Sequence, residues 1–201
     1  MNARQKEFLS DIAEKNTIEY AIENGKIQLL KKLIREGEEI DNDAFNGAAK
    51  GGNLEIVKYL VGKGAKIGEY AVSSAAYGGH LEMVKYLVEK GAEIGEYAVY
   101  FAAENGHLEI VKYLVEKGAE IGEYAVKFAA GSGNLEIVKF LVGKGAYIGD
   151  KAVSSAAENG HLEIVKFLEI IKFLEDKKRL SRSKTMIIYN KIKTGKLKLP
   201  E

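Results

Sequence analysis

Apolar residues recur at helical spacing through most of the chain. The segment NLEIVKYLVGKG at 53–64 predicts an amphipathic helix with one buried stripe. The segment EYAVSSAA at 69–76 predicts a second, shorter helix whose adjacent alanines allow close packing. The apolar stripe of the first segment consists of Leu54, Ile56, Val57, Leu60 and Val61.

This two-helix pattern repeats with a constant period of 27 residues and no insertion. Eleven residues, EKGAEIGEYAV, recur letter for letter at 89–99 and 116–126. A unit of this size is too small to bury its own apolar stripe, so stacked neighbours must supply the core. The pattern therefore predicts an all-α solenoid of six helix–turn–helix repeats. The copies begin at Ala21, Ala48, Ala75, Ala102, Ala129 and Ala156.

Glycine and polar residues mark the helix ends within each repeat. The first helix is predicted to end at a glycine with positive φ, and the second to begin just after another glycine. In the first copy Asp41 stands where the other copies have the starting glycine, and it is predicted to be an N-cap. Asn53 is predicted to cap the first helix of its own repeat. His80 and His107 occupy the slot of Asn53. The ending glycines are Gly64, Gly91, Gly118 and Gly145, and the starting ones are Gly68, Gly95, Gly122 and Gly149.

The two ends of the chain depart from the repeat. Residues 1–16 carry Phe8, Leu9 and Ile12 on one face, which predicts an N-terminal capping helix before the array at 17–168. The last helix lacks the glycine stop and is predicted to reach about residue 178, within a C-terminal region at 169–201. Its extra apolar residues need cover, either from a terminal helix at 185–192 or from self-association. They are Ile170, Ile171, Phe173 and Leu174.

The segment AAENGHLEIVKYLVEKGA closely resembles the helix–turn–helix part of the ankyrin repeat, including its Ala-Ala, Gly-His and Gly-Ala positions. The resemblance covers about residues 17–168. Ankyrin repeats usually run to about 33 residues, so the missing six would remove the β-hairpin finger between Ile94 and Gly95. Short arrays of this kind are similar to those of large DNA viruses and protists. The resemblance implies hairpin-free repeats that bind proteins without catalysis.

Composition adds an expectation of an intracellular, soluble protein. The formal net charge is +1, which does not indicate a nucleic-acid or membrane partner, and cysteine is absent. The N-terminus has no signal-peptide core, so the expected location is the cytoplasm. Residues 176–201 carry nine basic and two acidic residues. That basic tail suits an anionic partner or a solvated capping helix, and the second interpretation is favoured.

No residue pattern predicts catalysis, a cofactor or a metal. His80, His107 and His161 share one repeat slot, so stacking would separate neighbouring ones by about 10 Å, too far for one metal ion. They are interpreted as caps or as inter-repeat hydrogen-bonding groups. The glycines recur with the repeat and match no phosphate-binding loop. Glutamates with lysine three residues later are interpreted as surface ion pairs.

The slots that differ between repeats are the candidate partner-binding positions. Two lie just before Ala-Ala, one just after it, and one in the loop before the second helix. The ankyrin resemblance places the first three on or beside the inner helix, which faces the concave groove. Their aromatic residues would form an interface or fill gaps between repeats, and both alternatives stay open. The candidates are Tyr77, Tyr100, Phe101, Glu104, Lys127, Phe128 and Tyr147.

The leading hypothesis is a non-catalytic protein–protein interaction module that binds an unidentified protein through the concave inner-helix surface. The alternative is a partner-free or self-associating structural repeat scaffold, natural or idealised. A monomer is favoured, with a homodimer through the C-terminal end as the second possibility. Tyr70, Tyr97 and Tyr124 fill a strictly repeated slot and are assigned to structure.

Overall fold

The computed structural model describes residues 17–95, 97–178 and 182–194, and these form helices without any strand. The N-terminal capping helix predicted at 1–16 lies outside the described residues. The helical content confirms the predicted all-α class. The helices are α1 (Ile18–Glu23), α2 (Ile27–Arg35), α3 (Asn42–Lys50), α4 (Leu54–Gly62), α5 (Ala71–Tyr77), α6 (Leu81–Glu89), α7 (Tyr97–Glu104), α8 (Leu108–Glu116), α9 (Glu123–Gly131), α10 (Leu135–Gly143), α11 (Asp150–Glu158), α12 (Leu162–Lys178) and α13 (Arg182–Lys193).

The chain divides into two compact units, Met1–Ala98 and Val99–Glu201. In the first unit α1, α3 and α5 pack side by side, and each also contacts the helix that follows it. In the second unit α9 packs against α10 and α11, and α10 packs against both α8 and α12. We call the EYAVSSAA-type helices inner and the LEIVKYLV-type helices outer.

The core of each unit is built from the same slots in successive repeats. The outer helices α4, α6, α8 and α10 bury the residues at the slots of Ile56, Val57 and Leu60, each at most 2 % exposed. The flanking Leu54 and Val61, predicted to belong to this stripe, are only half-buried. Inner helices bury alanine and valine, which lets neighbouring helices approach closely. The inner-helix core residues of one repeat are Ala125, Val126, Ala129 and Ala130.

Glycine ends the outer helices as the sequence predicts. Gly145 has φ of +93°, and the corresponding glycines of the other repeats are also positive. Its N–H donates to the Val142 carbonyl, and the N–H of Ala146 donates to the Leu141 carbonyl. This pair of hydrogen bonds is the Schellman motif, which satisfies carbonyl groups at a helix end.

The Asn/His slot before each outer helix links neighbouring repeats instead of capping its own helix. Asn53 makes no side-chain cap bond; its Nδ2 donates to the Ile22 carbonyl at 2.8 Å. Asn134 Nδ2 likewise donates to the carbonyls of Ala103 at 2.9 Å and Glu104 at 3.0 Å. The predicted capping role of Asn53 was therefore wrong, because this side chain donates to a carbonyl at the end of the inner helix of the previous repeat.

His161 makes the same type of inter-repeat contact. Its Nε2 lies 3.1 Å from the Gly131 carbonyl and donates to it. The imidazole also lies over Gly133, where an added Cβ would come within 2.7 Å of the ring. Gly133 has φ of +79°, so backbone conformation and close approach both favour glycine there.

The starts of the inner helices match the sequence expectation in part. Asp41 caps α3, and its side chain accepts from the Ala44 N–H at 2.7 Å. Gly122 and Gly149 precede α9 and α11 directly, in extended conformations. In the second repeat the helix begins only at Ala71, after a turn that follows Gly68, so the predicted start was two residues too early.

The last outer helix runs to Lys178, which is the predicted extent. Helix α13 packs on α12 and α10, and the ring of Tyr189 meets Phe167 edge-on with centroids 4.7 Å apart. Ile171 and Leu174 are buried, at 0 % and 3 % exposure. Helix α13 therefore lies where the sequence required cover for the end of the apolar core.

Two glycines near the end of α10 should respond to alanine in opposite directions. An added Cβ meets no described atom within 4 Å at either Gly143 or Gly145. Gly145→Ala should lower the free energy of unfolding by about 1 kcal/mol because of its positive φ. Gly143→Ala should raise it by about 0.5 kcal/mol, because alanine favours the helix interior. Urea denaturation measures both, and changes of the same sign would contradict the cap.

The inter-repeat hydrogen bonds predict a loss of stability in Asn134→Ala. Two partly buried carbonyls lose their donor, so the free energy of unfolding should fall by about 1–2 kcal/mol. Asn134→His is the matched control, because the chain uses histidine in the same slot at 80, 107 and 161. It should retain most of the stability in urea denaturation. Equal losses in the two variants would show that the donated hydrogen bond is not what matters.

Candidate functional site

Four aromatic side chains of the second unit form a continuous cluster on inner helices. The Tyr100 ring lies 4.6 Å, centroid to centroid, from both Phe101 and Phe128. Phe128 continues to Tyr124 at 6.2 Å, one turn earlier on α9. We call Tyr100, Phe101, Tyr124 and Phe128 the aromatic ladder. Tyr100 thus joins rings that the repeat pattern placed one repeat apart.

The ladder is accessible along part of its surface. Tyr124 is 50 % exposed, and the other three rings are half-buried. At the slots of Phe101 and Phe128, the repeats before and after carry Ser74 and Ser155. The ring-to-ring spacings fall in the range for favourable aromatic pairs. The arrangement therefore combines internal packing with an exposed aromatic surface.

Glu104 lies beside Tyr100, one of the two inner rings of the ladder. The pKa of the Tyr100 hydroxyl is raised, first by burial and then by the charge of Glu104 and a hydrogen bond to it. The hydroxyl donates to the Glu104 carboxylate. Tyr100 is therefore held in its protonated form beside an acidic group.

A lysine lies over the two ladder rings of helix α9. Lys127 Nζ lies 4.7 Å from the centroid of Phe128 and 5.9 Å from that of Tyr124, within the range of a cation–π interaction. A shallow cavity of about 240 Å³ adjoins this lysine. Its lining includes Glu123, Tyr124, Lys127, Tyr147, Asp150 and Lys151.

The lining of this cavity combines aromatic, charged and small residues. Tyr147 is 65 % exposed, and Gly149 and Ala152 also line the cavity. Asp150 forms an ion pair with Lys172, so one negative charge of the cavity lining is neutralised. The hydrogen bond from Lys172 lowers the pKa of the Asp150 carboxyl below its usual value. The cavity is therefore lined by both aromatic and charged side chains.

The structure brings together six of the seven predicted partner-binding residues. Tyr147 lines the cavity that adjoins the ladder. The other five belong to the ladder or contact it, and they are Tyr100, Phe101, Glu104, Lys127 and Phe128. Tyr77 lies in the first unit, where it is 39 % exposed and has Lys50 Nζ 4.4 Å above its ring. A role of Tyr77 in one common surface stays a prediction.

The four C-terminal apolar candidates do not share one environment. Ile171 and Leu174 are buried within the unit, Ile170 is half-buried, and Phe173 is 49 % exposed. Burial of Ile171 and Leu174 beneath neighbouring helices favours the capping interpretation for those two. Self-association would have to use Phe173 or other exposed residues.

The outer helices carry the ion pairs that the sequence predicts. Lys85 bonds Glu82 at 2.8 Å and Lys112 bonds Glu109 at 2.7 Å, each three residues apart. Lysines also lie over outer-helix rings; Lys90 Nζ, for example, is 5.6 Å from the Tyr86 centroid. These exposed contacts each contribute little to stability.

Sequence reasoning missed Tyr124 and the charged rim of the cavity. Tyr124 occupies a strictly repeated slot, and repetition was read as a sign of structure. The usable signal was its spacing from Phe128, because residues four apart on a helix lie on the same face. Glu123, Asp150 and Lys151 gave no comparable signal, because their meeting depends on how α9 and α11 pack.

The described residues contain no group of three or more potential ligands placed to hold a metal ion. None of the helices in the described ranges has both the length and the apolar character needed to cross a membrane.

Comparison with known proteins identifies the family. The family model described as ankyrin repeats (3 copies) matches residues 18–98, 45–125 and 99–172. The chain therefore belongs to the ankyrin-repeat family, and its fold is an all-α, ankyrin-type solenoid. Ankyrin repeats are generally non-catalytic protein–protein interaction modules. No curated protein matches the chain.

The raised pKa of Tyr100 predicts a pH-dependent contribution to stability. A raised folded-state pKa stabilises the fold below the unfolded value of about 10, and that contribution is lost as pH rises through the folded-state pKa. The free energy of unfolding should therefore fall more steeply above about pH 10 in the wild type than in Tyr100→Phe. Urea denaturation from pH 8 to 11 tests this, and parallel curves would contradict it.

Proposed function

We propose that this chain is a non-catalytic interaction module that binds a protein partner through the concave surface of its inner helices. The aromatic ladder carries the proposal. Its rings are partly exposed and lie in contact with one another, and three of them, Tyr100, Phe101 and Phe128, occupy slots where other repeats have serine. A repeat that needed these rings only for stacking would need them in every copy.

The chemistry of the ladder suits a protein interface. Aromatic side chains provide large contact areas with little loss of conformational entropy, and they are enriched among residues that dominate binding energy. Tyr100 and Phe128 are already held by each other at 4.6 Å. Because the rings are ordered before binding, little additional ordering would oppose association.

We propose that the protein acts as an intracellular monomer. Burial of Ile171 and Leu174 supports the monomer, since these two of the four candidate residues for a C-terminal homodimer already pack within their own unit. The scaffold alternative predicts that replacing ladder residues changes no binding property.

Affinity capture from a cell lysate tests the proposed surface. Immobilised wild type is compared with Phe101→Asp/Phe128→Asp and with Phe101→Ser/Phe128→Ser, which introduces the residue found at 74 and 155. Lys144→Glu, at the end of an outer helix, is the surface control. We expect wild type and the control to retain one protein. Both ladder variants should retain at least about 10-fold less of it.

Circular dichroism must show equal helix content in all four proteins, so that loss of capture is not loss of fold. Equal retention by the ladder variants would contradict binding through this surface. A homodimer of the chain, detected by light scattering, would support the self-associating scaffold instead of the interaction module.

A further inference from the structure

Lysines of the second unit have two kinds of environment. The outer-helix Lys112 and Lys139 each bond a glutamate three residues earlier, at 2.7 Å and 2.5 Å. Lys117 and Lys144, at the ends of outer helices, each lie over one aromatic ring. The inner-helix Lys127 lies over two rings, and these rings belong to the partly exposed ladder.

Lys127 has no ion pair among the described residues. The residue is half-buried, and its ammonium group lies over the Phe128 and Tyr124 rings. An ammonium group held in a fixed position beside apolar surface interacts more strongly with an added anion than one in bulk water.

The nearby carboxylates already have stabilising neighbours. Glu104 accepts from the Tyr100 hydroxyl, and Asp150 pairs with Lys172. Glu123 lies in the first turn of α9, where the helix dipole favours a negative charge. Lys127 and the exposed Lys151, which both line the cavity, are therefore the groups of this surface with which a carboxylate of a partner could pair.

We infer that the partner of this surface is an acidic peptide segment that places a carboxylate on Lys127 and an adjacent apolar side chain on the aromatic ladder. This inference rests on the proposed function and specifies the chemistry of its partner. The apolar side chain would cover Phe128 and Tyr100, and Lys151 would receive a second carboxylate from the same segment. Charge complementarity and the neighbouring aromatic surface together define an acidic–hydrophobic sequence.

A single-stranded nucleic acid could also combine negative charge with ring stacking. The three carboxylates Glu104, Glu123 and Asp150 argue against it, because a continuous phosphate backbone would pass close to them. A peptide can place isolated carboxylates at the two lysines and neutral groups elsewhere. The surface therefore suits a peptide better than a polyanion.

Selection from a displayed library of randomised nine-residue peptides tests the inference. The immobilised full chain is used as wild type, Lys127→Glu, Lys127→Ser and Phe128→Ser; serine is the resident residue of the Lys127 slot at 73 and 154. We expect wild type to enrich peptides with aspartate or glutamate beside an aliphatic or aromatic residue. Lys127→Glu should instead enrich peptides with lysine or arginine at that position.

The most enriched peptide is then synthesised together with its amide analogue, in which every Asp and Glu becomes Asn or Gln. Fluorescence anisotropy should show about 5-fold weaker binding of the acidic peptide to Lys127→Ser, the upper range for an exposed ion pair. The amide analogue should bind wild type and Lys127→Ser equally. Lys144→Glu should leave both affinities unchanged.

Two kinds of failure are distinguishable. Peptides whose binding depends on Phe128 but not on charge would overturn the inference and leave the proposed binding surface in place. Absence of any enrichment, or enrichment equal in Phe128→Ser, would overturn both. Tighter binding of a 20-nucleotide single strand than of the acidic peptide, lost in Lys127→Ser, would overturn the peptide assignment in favour of nucleic acid.

Discussion

The contact between one helix pair and the next is the constraint on which the fold depends, because no pair of this length can bury its own apolar residues. Outer helices contribute Ile, Val and Leu to the shared core, and inner helices contribute alanines that permit close approach. Polar side chains also link neighbouring repeats. Asn134 and His161 donate across to carbonyls about 30 residues earlier, so hydrogen bonding as well as packing runs between neighbours.

This constraint sorts the positions of the repeat into two kinds. Slots that touch the neighbouring repeat must fit it in every copy, which is why Gly133 lies beneath the His161 ring and alanine recurs at the inner-helix contact. Other slots change from copy to copy, and those of Tyr100, Lys127 and Phe128 carry serine in other repeats. The proposed partner-binding surface uses these variable slots, although Tyr100 and Phe128 also contact each other across the repeat.

Sequence periodicity predicted the helices, the Schellman glycines and the long last helix, because each depends on local spacing that recurs in every copy. It failed where a side chain acts on another repeat. Asn53 has the composition of an N-cap, yet its amide reaches the Ile22 carbonyl. The candidate site was likewise predictable only in part. Phe101 and Phe128 were predictable because other repeats carry serine at their slots. The residues around the cavity were not, because their meeting depends on the packing of α9 against α11.

If the variable aromatic slots serve binding, they should contribute much less to stability than buried core positions do. The most direct test of this claim compares the free energy of unfolding of Phe128→Ser with that of Phe167→Ser. Phe167 is 1 % exposed, so its loss should cost about 4 kcal/mol or more. The half-buried Phe128 should cost only about 1–2 kcal/mol. An equal loss in the two variants would make the ladder core packing and contradict the claim.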